Sequence, residues 1–295
     1  MIDPKALRSK WITDQFDEEQ APIPSVAWIK HKELDVAYGD DPLQKLDIYY
    51  PENDDQHRPV LFLIHGGGYT HCDKRDWHLY DGFYALERGY VLISLNYRLA
   101  PKDPFPAARK DVAKALGFLR SHYLNKMDLS NLFLWGSSAG GHLVSLCGLA
   151  DYKEIPDIQV KGVAALSSLM DLKALAKSIP EFLKPQLAQL YSLFLGFPYQ
   201  EEDPKAIELL QSVNATALIT PDAPAFYLMH GDKDLVVPIT QSLDFMKQYQ
   251  QVANPDHIIL KVINDAGHAG DGDYFLREEN VSPVLDFFES FRSHP

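Results

Sequence analysis

The chain has 295 residues, of which 46% are hydrophobic and 23% charged, and it carries a formal net charge of −13. That length fits one large α/β domain or two small ones with a sizeable core. The acidic balance argues against nucleic acid and anionic membrane surfaces as partners, since both need lysine and arginine patches. Two cysteines far apart, Cys72 and Cys147, exclude a disulfide framework.

The first residues, Met1-Ile-Asp-Pro-Lys, lack an apolar signal core, and no apolar run is long enough to cross a bilayer. The expected location is therefore cytoplasmic. Residues 1–30 read as a surface arm anchored by Trp11, Ile12 and Phe16. Residues 31–37 and 43–50 alternate as strands around the turn signal Gly39-Asp-Asp-Pro42, which predicts a hairpin. A polar loop at 52–58 precedes the apolar run 59–64, expected of a central strand buried on both faces. A helix is expected over 76–88, a strand over 90–96 and a long helix from 105 to about 123.

A short strand, 132–135, then stops at Gly136, and a buried helix starts at Ala139, where Cys147 reads as a small apolar residue. Further strands are expected at 161–168, 225–230 and 257–263, with a helix at 239–252. Ser282-Pro283 reads as the cap and first residue of a last helix whose Val284, Leu285, Phe287 and Phe288 face the core. From residue 59 on, strands and helices alternate, which implies a mostly parallel sheet with helices on both faces. Residues 170–222 are too long for a crossover and read as a small inserted cap on a single domain, 1–295.

Between the strand and helix at 132–144 sits Gly136-Ser137-Ser138-Ala139-Gly140, a G-x-S-x-G pattern. A strand turning sharply into a helix strains its corner residue and needs small neighbours, which Gly136 and Gly140 supply. The register is unique, because centring on Ser137 would need glycine where Trp135 and Ala139 stand. A serine is a poor nucleophile until a histidine takes its proton, and a carboxylate must orient that histidine. Two late loops qualify, His230-Gly-Asp-Lys-Asp-Leu-Val-Val-Pro238 and Asn264-Asp-Ala-Gly-His-Ala-Gly270. His268 lies among small residues on the second. Of the two acids on the first, Asp234 is preferred and Asp232 is expected to stabilise the turn. The glycines of His65-Gly66-Gly67-Gly68 leave N–H groups open to an oxyanion, so Gly66, Gly67 and Ala139 are the expected donors.

These motifs, with Tyr97-Arg-Leu-Ala-Pro-Lys-Asp-Pro-Phe-Pro-Ala107, resemble the hormone-sensitive-lipase-like esterases of the α/β-hydrolase superfamily from about Lys45 onward. The resemblance implies an α/β-hydrolase fold, hydrolysis of small carboxylic esters through an acyl-enzyme, a Ser138–Asp234–His268 triad, and neither metal nor organic cofactor. Ser137 departs from the acidic residue usual before the nucleophile. Gly-Ser-Ser-Ala-Gly-Gly-His-Leu also resembles the feruloyl- and acetylxylan-esterase-like branch and the arylformamidases. The rival activities are therefore an arylformamidase-type amide hydrolase and an acetylxylan or feruloyl esterase. From another class, the rival is an inactive hydrolase fold that binds a ligand.

His71, Cys72 and His78 raise a zinc reading but lack a fourth ligand at a recognisable spacing. Tyr69 and Trp77 are expected at the pocket entrance or in the core, with Tyr69 a candidate substrate contact. Arg98 and Asp111 either pair beneath the site or remain a solvated pair. The expected partner is a small-molecule ester, without nucleic acid or membrane, and a homodimer is an allowed assembly.

Overall fold

A computed structural model describes residues 24–52, 58–269 and 274–293. The arm anchors Trp11, Ile12 and Phe16 lie outside the described residues, as does most of the polar loop at 52–58. Eight strands form one sheet: β1 (Lys32–Ala37), β2 (Lys45–Tyr49), β3 (Pro59–Ile64), β4 (Val91–Leu95), β5 (Asp128–Ser137), β6 (Val160–Leu166), β7 (Ala225–Gly231) and β8 (Ile258–Ile263). Their order is β1-β2-β4-β3-β5-β6-β7-β8. The expected hairpin is present: β1 pairs antiparallel with β2, which pairs antiparallel with β4. The remaining pairs are parallel.

Side chains alternate across a strand, so each central strand feeds two cores. Leu61 and Leu63 of β3 pack with helices α1 (Leu79–Glu87) and α8 (Glu278–Phe291). Val60, Phe62 and Ile64 pack with α2 (Ala107–Tyr123), α3 (Ala139–Leu149) and α7 (Thr240–Val252) on the opposite face. That is why the run Pro59-Val-Leu-Phe-Leu-Ile64 is apolar at every position. Each such side chain contributes roughly 1.5–3 kcal/mol on burial. The result is the mostly parallel sheet, covered on both sides, that an α/β-hydrolase fold requires.

Three boundaries differ from the sequence pattern. Strand β5 continues through Gly136 and Ser137, because both pair with β6, opposite Ala165 and Leu166. Helix α1 starts at Leu79, because the Asp76 carboxylate accepts the His78 N–H and closes a turn ahead of it. Helix α8 starts at Glu278, so Pro283 lies inside it and Ser282 is no cap. Proline there removes the N–H that would bond the Glu279 carbonyl. The Lys261 ammonium, from β8, donates to that carbonyl at 2.7 Å instead. Val284, Leu285, Phe287 and Phe288 are buried, as their spacing predicts.

Residues 170–222 form α4 (Leu172–Ser178), α5 (Lys184–Leu195) and α6 (Pro204–Ser212) between β6 and β7. Asp171 caps α4 through the Ala174 N–H, and Asp203 caps α6 with Pro204 at its first position. Gly196, at φ 78°, ends α5 in the left-handed region that glycine adopts without strain. Leu187, Tyr191 and Phe194, three and four residues apart, share its buried face.

Candidate active site

Ser138 is the corner between β5 and α3, with φ 51° and ψ −121°. A non-glycine residue at positive φ is strained and persists only where its surroundings hold it. Here the Ser138 N–H donates to Leu166 O at 2.8 Å, and the His142 N–H donates to Ser138 O at 3.0 Å. The two motif glycines let the backbones touch. A Cβ on Gly140 would lie 2.2 Å from Ile64 O, and one on Gly136 would lie 2.5 Å from the Gly140 backbone. Ser137, the departure from the family pattern, is 2% exposed, so an acid there would have to be buried.

The Ser138 hydroxyl donates to His268 Nε2 at 2.9 Å. His268 Nδ1–H donates to Asp234 Oδ2 at 2.8 Å; a carboxylate only accepts, which fixes this tautomer. The other Asp234 oxygen accepts the N–H groups of Val236 and Val237 at 3.0 and 2.8 Å. Burial alone would raise the Asp234 carboxyl. The hydrogen bonds from His230, His268 and the Val237 amide outweigh it and hold the group well below the usual carboxylate range. Asp232 is turned elsewhere: its carboxylate accepts the Asp265 N–H at 2.7 Å, the turn role expected of it.

The glycine loop corrects one expected donor. Gly66 N–H donates to His78 Nε2 at 3.3 Å and so is already engaged rather than open to an oxyanion. His78 accepts there because its Nδ1–H is directed at Asp76, at 2.6 Å. Gly67 and Gly68 line the cavity beside Ser138. The Gly66 carbonyl is held by the Tyr97 hydroxyl at 3.1 Å and by His65 Nδ1–H at 3.0 Å. In a trans peptide the N–H points opposite the carbonyl, so these two bonds aim the Gly67 N–H away from them. Ala139 is the first residue of α3, where an N–H has no intrahelical acceptor. Sequence reasoning missed Gly68 and Tyr97, although both stand inside motifs it singled out.

Arg98 and Asp111 pair, and the pair is not solvated. The Arg98 guanidinium forks onto the fully buried Asp111 at 2.7–3.1 Å, and Gln44 Nε2 donates to the same carboxylate at 2.7 Å. Trp77 lies in the core, stacked on His78. His78 is thus engaged by Asp76, Gly66 and Trp77, and no trio of metal-binding side chains is grouped among the described residues.

The cavity over Ser138 and His268 has a volume of about 370 Å³. Leu175, Ile179, Leu183, Leu187 and Leu190 line it from the 170–222 segment, and Val236 and Val237 line it from the loop after β7. No lysine, arginine, aspartate or glutamate is among its described lining. Tyr69 also lines it, but its phenol is bonded to His142 rather than presented to the cavity.

The BD-FAE family model matches residues 46–249. The chain is 28% identical to Esterase LipC of Mycobacterium tuberculosis over 251 residues, 80% of this chain and 59% of LipC. It therefore spans little more than half the length of that relative. It is 26% identical to Kynurenine formamidase of Salmo salar over 254 residues, 83% of this chain and 79% of that enzyme. Among solved structures, a truncated carbohydrate esterase from gut microbiota superposes with a TM-score of 0.77 at 20% identity, covering 91% of this chain and 99% of that one, which shows a shared fold. Strand order, the strained serine corner and a family match over well over half its length agree: the chain belongs to the BD-FAE family and has the α/β-hydrolase fold.

Proposed function

We propose that this chain is a serine esterase acting on small, uncharged carboxylic esters. The observation that carries this reading is the unbroken path Ser138–His268–Asp234, with bonds of 2.9 and 2.8 Å, opening on an aliphatic cavity. His268 Nε2 takes the Ser138 proton as Oγ attacks the ester carbonyl. The oxyanion forms against the N–H groups of Gly67, Gly68 and Ala139, with Gly68 replacing the expected Gly66. One such donor is worth about 2.7–4 kcal/mol of barrier. His268 then passes the proton to the leaving alcohol, and water repeats the sequence on the acyl-enzyme.

Residues 170–222 act as the cap that shapes the acyl side, and their leucines favour apolar acyl groups over sugars. LipC, named an esterase, supports the chemistry. One chain completes the site, so a homodimer is not required for it; the cytoplasm is the proposed compartment.

Kinetics on p-nitrophenyl esters from acetate to decanoate, with fluorophosphonate labelling of wild type and Ser138→Ala, test the proposal. Activity and labelling that vanish together in Ser138→Ala support it. A wild type that is unlabelled and inert on every ester sinks it and leaves a ligand-binding hydrolase fold. The likeness to a kynurenine formamidase favours one second reading, amide hydrolysis, and a rate on N-formylkynurenine above that on aryl acetates would select it.

A further inference from the structure

Gly67, Gly68 and Tyr69 have successive φ values of 87°, 55° and 65°. Two glycines adopt this region readily, but a tyrosine does so only under constraint. Three contacts constrain it. The Tyr69 carbonyl accepts the Ala100 N–H at 2.9 Å, its ring lies 4.5 Å from that of Phe194 on α5, and its hydroxyl meets His142 Nδ1 at 2.7 Å. His142 Nε2 meets Val213 O at 2.7 Å. A carbonyl only accepts, so Nε2 carries the hydrogen, Nδ1 carries the lone pair, and the Tyr69 hydroxyl is the donor. Burial pushes the His142 pKa down to about 4, which keeps this tautomer neutral at ordinary pH.

His142 stands one helical turn after Ser138 on α3. The phenol–imidazole bond therefore links the loop carrying Gly67 and Gly68 to the helix carrying Ser138 and Ala139. Through Val213 it also reaches the segment that follows α6. Behind Tyr69, between His142, Phe194 and Val213, only about 10 Å³ stays open, room for no more than one water, so the ring cannot retreat on that side.

We propose that Tyr69 and His142 are positioning residues that set the distance between the nucleophile and the loop donors of the oxyanion hole. The inference rests on the esterase reading above. A misplaced oxyanion donor weakens the transition state and leaves substrate binding nearly unchanged.

The test compares Tyr69→Phe, His142→Asn and His142→Gln with wild type on p-nitrophenyl butyrate. It reads kcat, KM, the inhibition constant of an aryl trifluoromethyl ketone, which forms an oxyanion on the serine, and Tm. In Tyr69→Phe, kcat is expected to fall about 10–100-fold, as a small misplacement does, with KM within about twofold. Ketone affinity should fall by the same factor. His142→Asn puts an oxygen where Nδ1 accepts and should retain most of kcat. His142→Gln keeps a donor toward Val213 but offers Tyr69 no acceptor, and should match Tyr69→Phe. Tyr69→Phe combined with His142→Gln should be no worse than either alone.

Unchanged kcat in folded Tyr69→Phe overturns the inference, as does a loss that follows Tm while the ketone affinity stays at the wild-type value. If a histidine variant does not fold, Tyr69→Phe still decides through the ketone. An active, labelled wild type with unaffected variants defeats this inference alone, whereas an inert, unlabelled wild type defeats the esterase reading and this inference together.

Discussion

His230 Nε2 lies 3.4 Å from Asp234 Oδ2, the same oxygen that accepts from His268. His230 is fully buried; its Nε2–H is directed at Val237 O, 2.7 Å away, and its Nδ1 accepts from the Ser242 hydroxyl at 2.8 Å. Asp234 is thus enclosed by two imidazoles and two amides, all of which favour the carboxylate. Its pKa is depressed in the folded chain, so its contribution to stability is present above the unfolded value of about 4 and is lost as pH falls below it. Urea unfolding of wild type and Asp234→Asn should show a stability gap at pH 7 that narrows steadily below about pH 4. A gap independent of pH would mean the surrounding donors do not favour the charged form.

The proposed triad should behave as one unit. Ser138→Ala and His268→Ala should each lower kcat by about 10⁶-fold, and the double variant should be no worse than either. Asp234→Asn, which keeps the shape but allows the wrong tautomer of His268, should cost about 10⁴-fold. Single-turnover rates on p-nitrophenyl acetate measure all four. Losses that multiply in the double variant would show that Ser138 and His268 act separately.

The central strands and the serine corner were legible because their signals are local. A strand buried on both faces must be apolar throughout, and a strained corner must be flanked by glycine. The identity of the loop donors was not local. Which glycine N–H faces the cavity depends on how successive peptide planes are turned, and those on either side of Gly66 are held by Tyr97 and His78, distant in sequence from them. The start of α8 was hidden for the same reason, since the carbonyl left open by Pro283 is satisfied by Lys261 from β8. The choice of Asp234 over Asp232 came from its place in the loop; in the structure Asp234 bonds His268, and Asp232 bonds the Asp265 N–H.

The Arg98–Asp111 pair is a stability element. Asp111 is fully buried and accepts from Arg98, Gln44 Nε2 and the Arg98 N–H, at 2.9 Å for the last. Arg98→Ala would deprive that carboxylate of its cationic fork, and breaking a buried pair from one side typically costs about 3–5 kcal/mol. Denaturant titration should show a loss of that size, together with lower kcat, because Arg98 directly follows Tyr97, whose hydroxyl holds the glycine loop. A loss under about 1 kcal/mol, the range of an exposed pair, would return Arg98 and Asp111 to the solvated reading.

Two glycine substitutions separate backbone contact from backbone freedom. At Gly140 an added methyl would sit 2.2 Å from Ile64 O and 2.5 Å from His65 O, both main-chain atoms that no rotamer change can move. Gly140→Ala must therefore push α3 off the end of β3, and it should cost about 3 kcal/mol or more, or yield no soluble protein. Gly117 lies in the middle of α2, and a Cβ there would meet nothing within 4 Å. Gly117→Ala should stabilise the chain by about 0.4–1 kcal/mol, because alanine loses less backbone freedom on folding. Thermal unfolding of the two variants should thus move in opposite directions from wild type. Equal destabilisation would mean that helix propensity governs neither site, and a tolerated Gly140→Ala would mean that the close approach of α3 to β3 does not hold the serine corner.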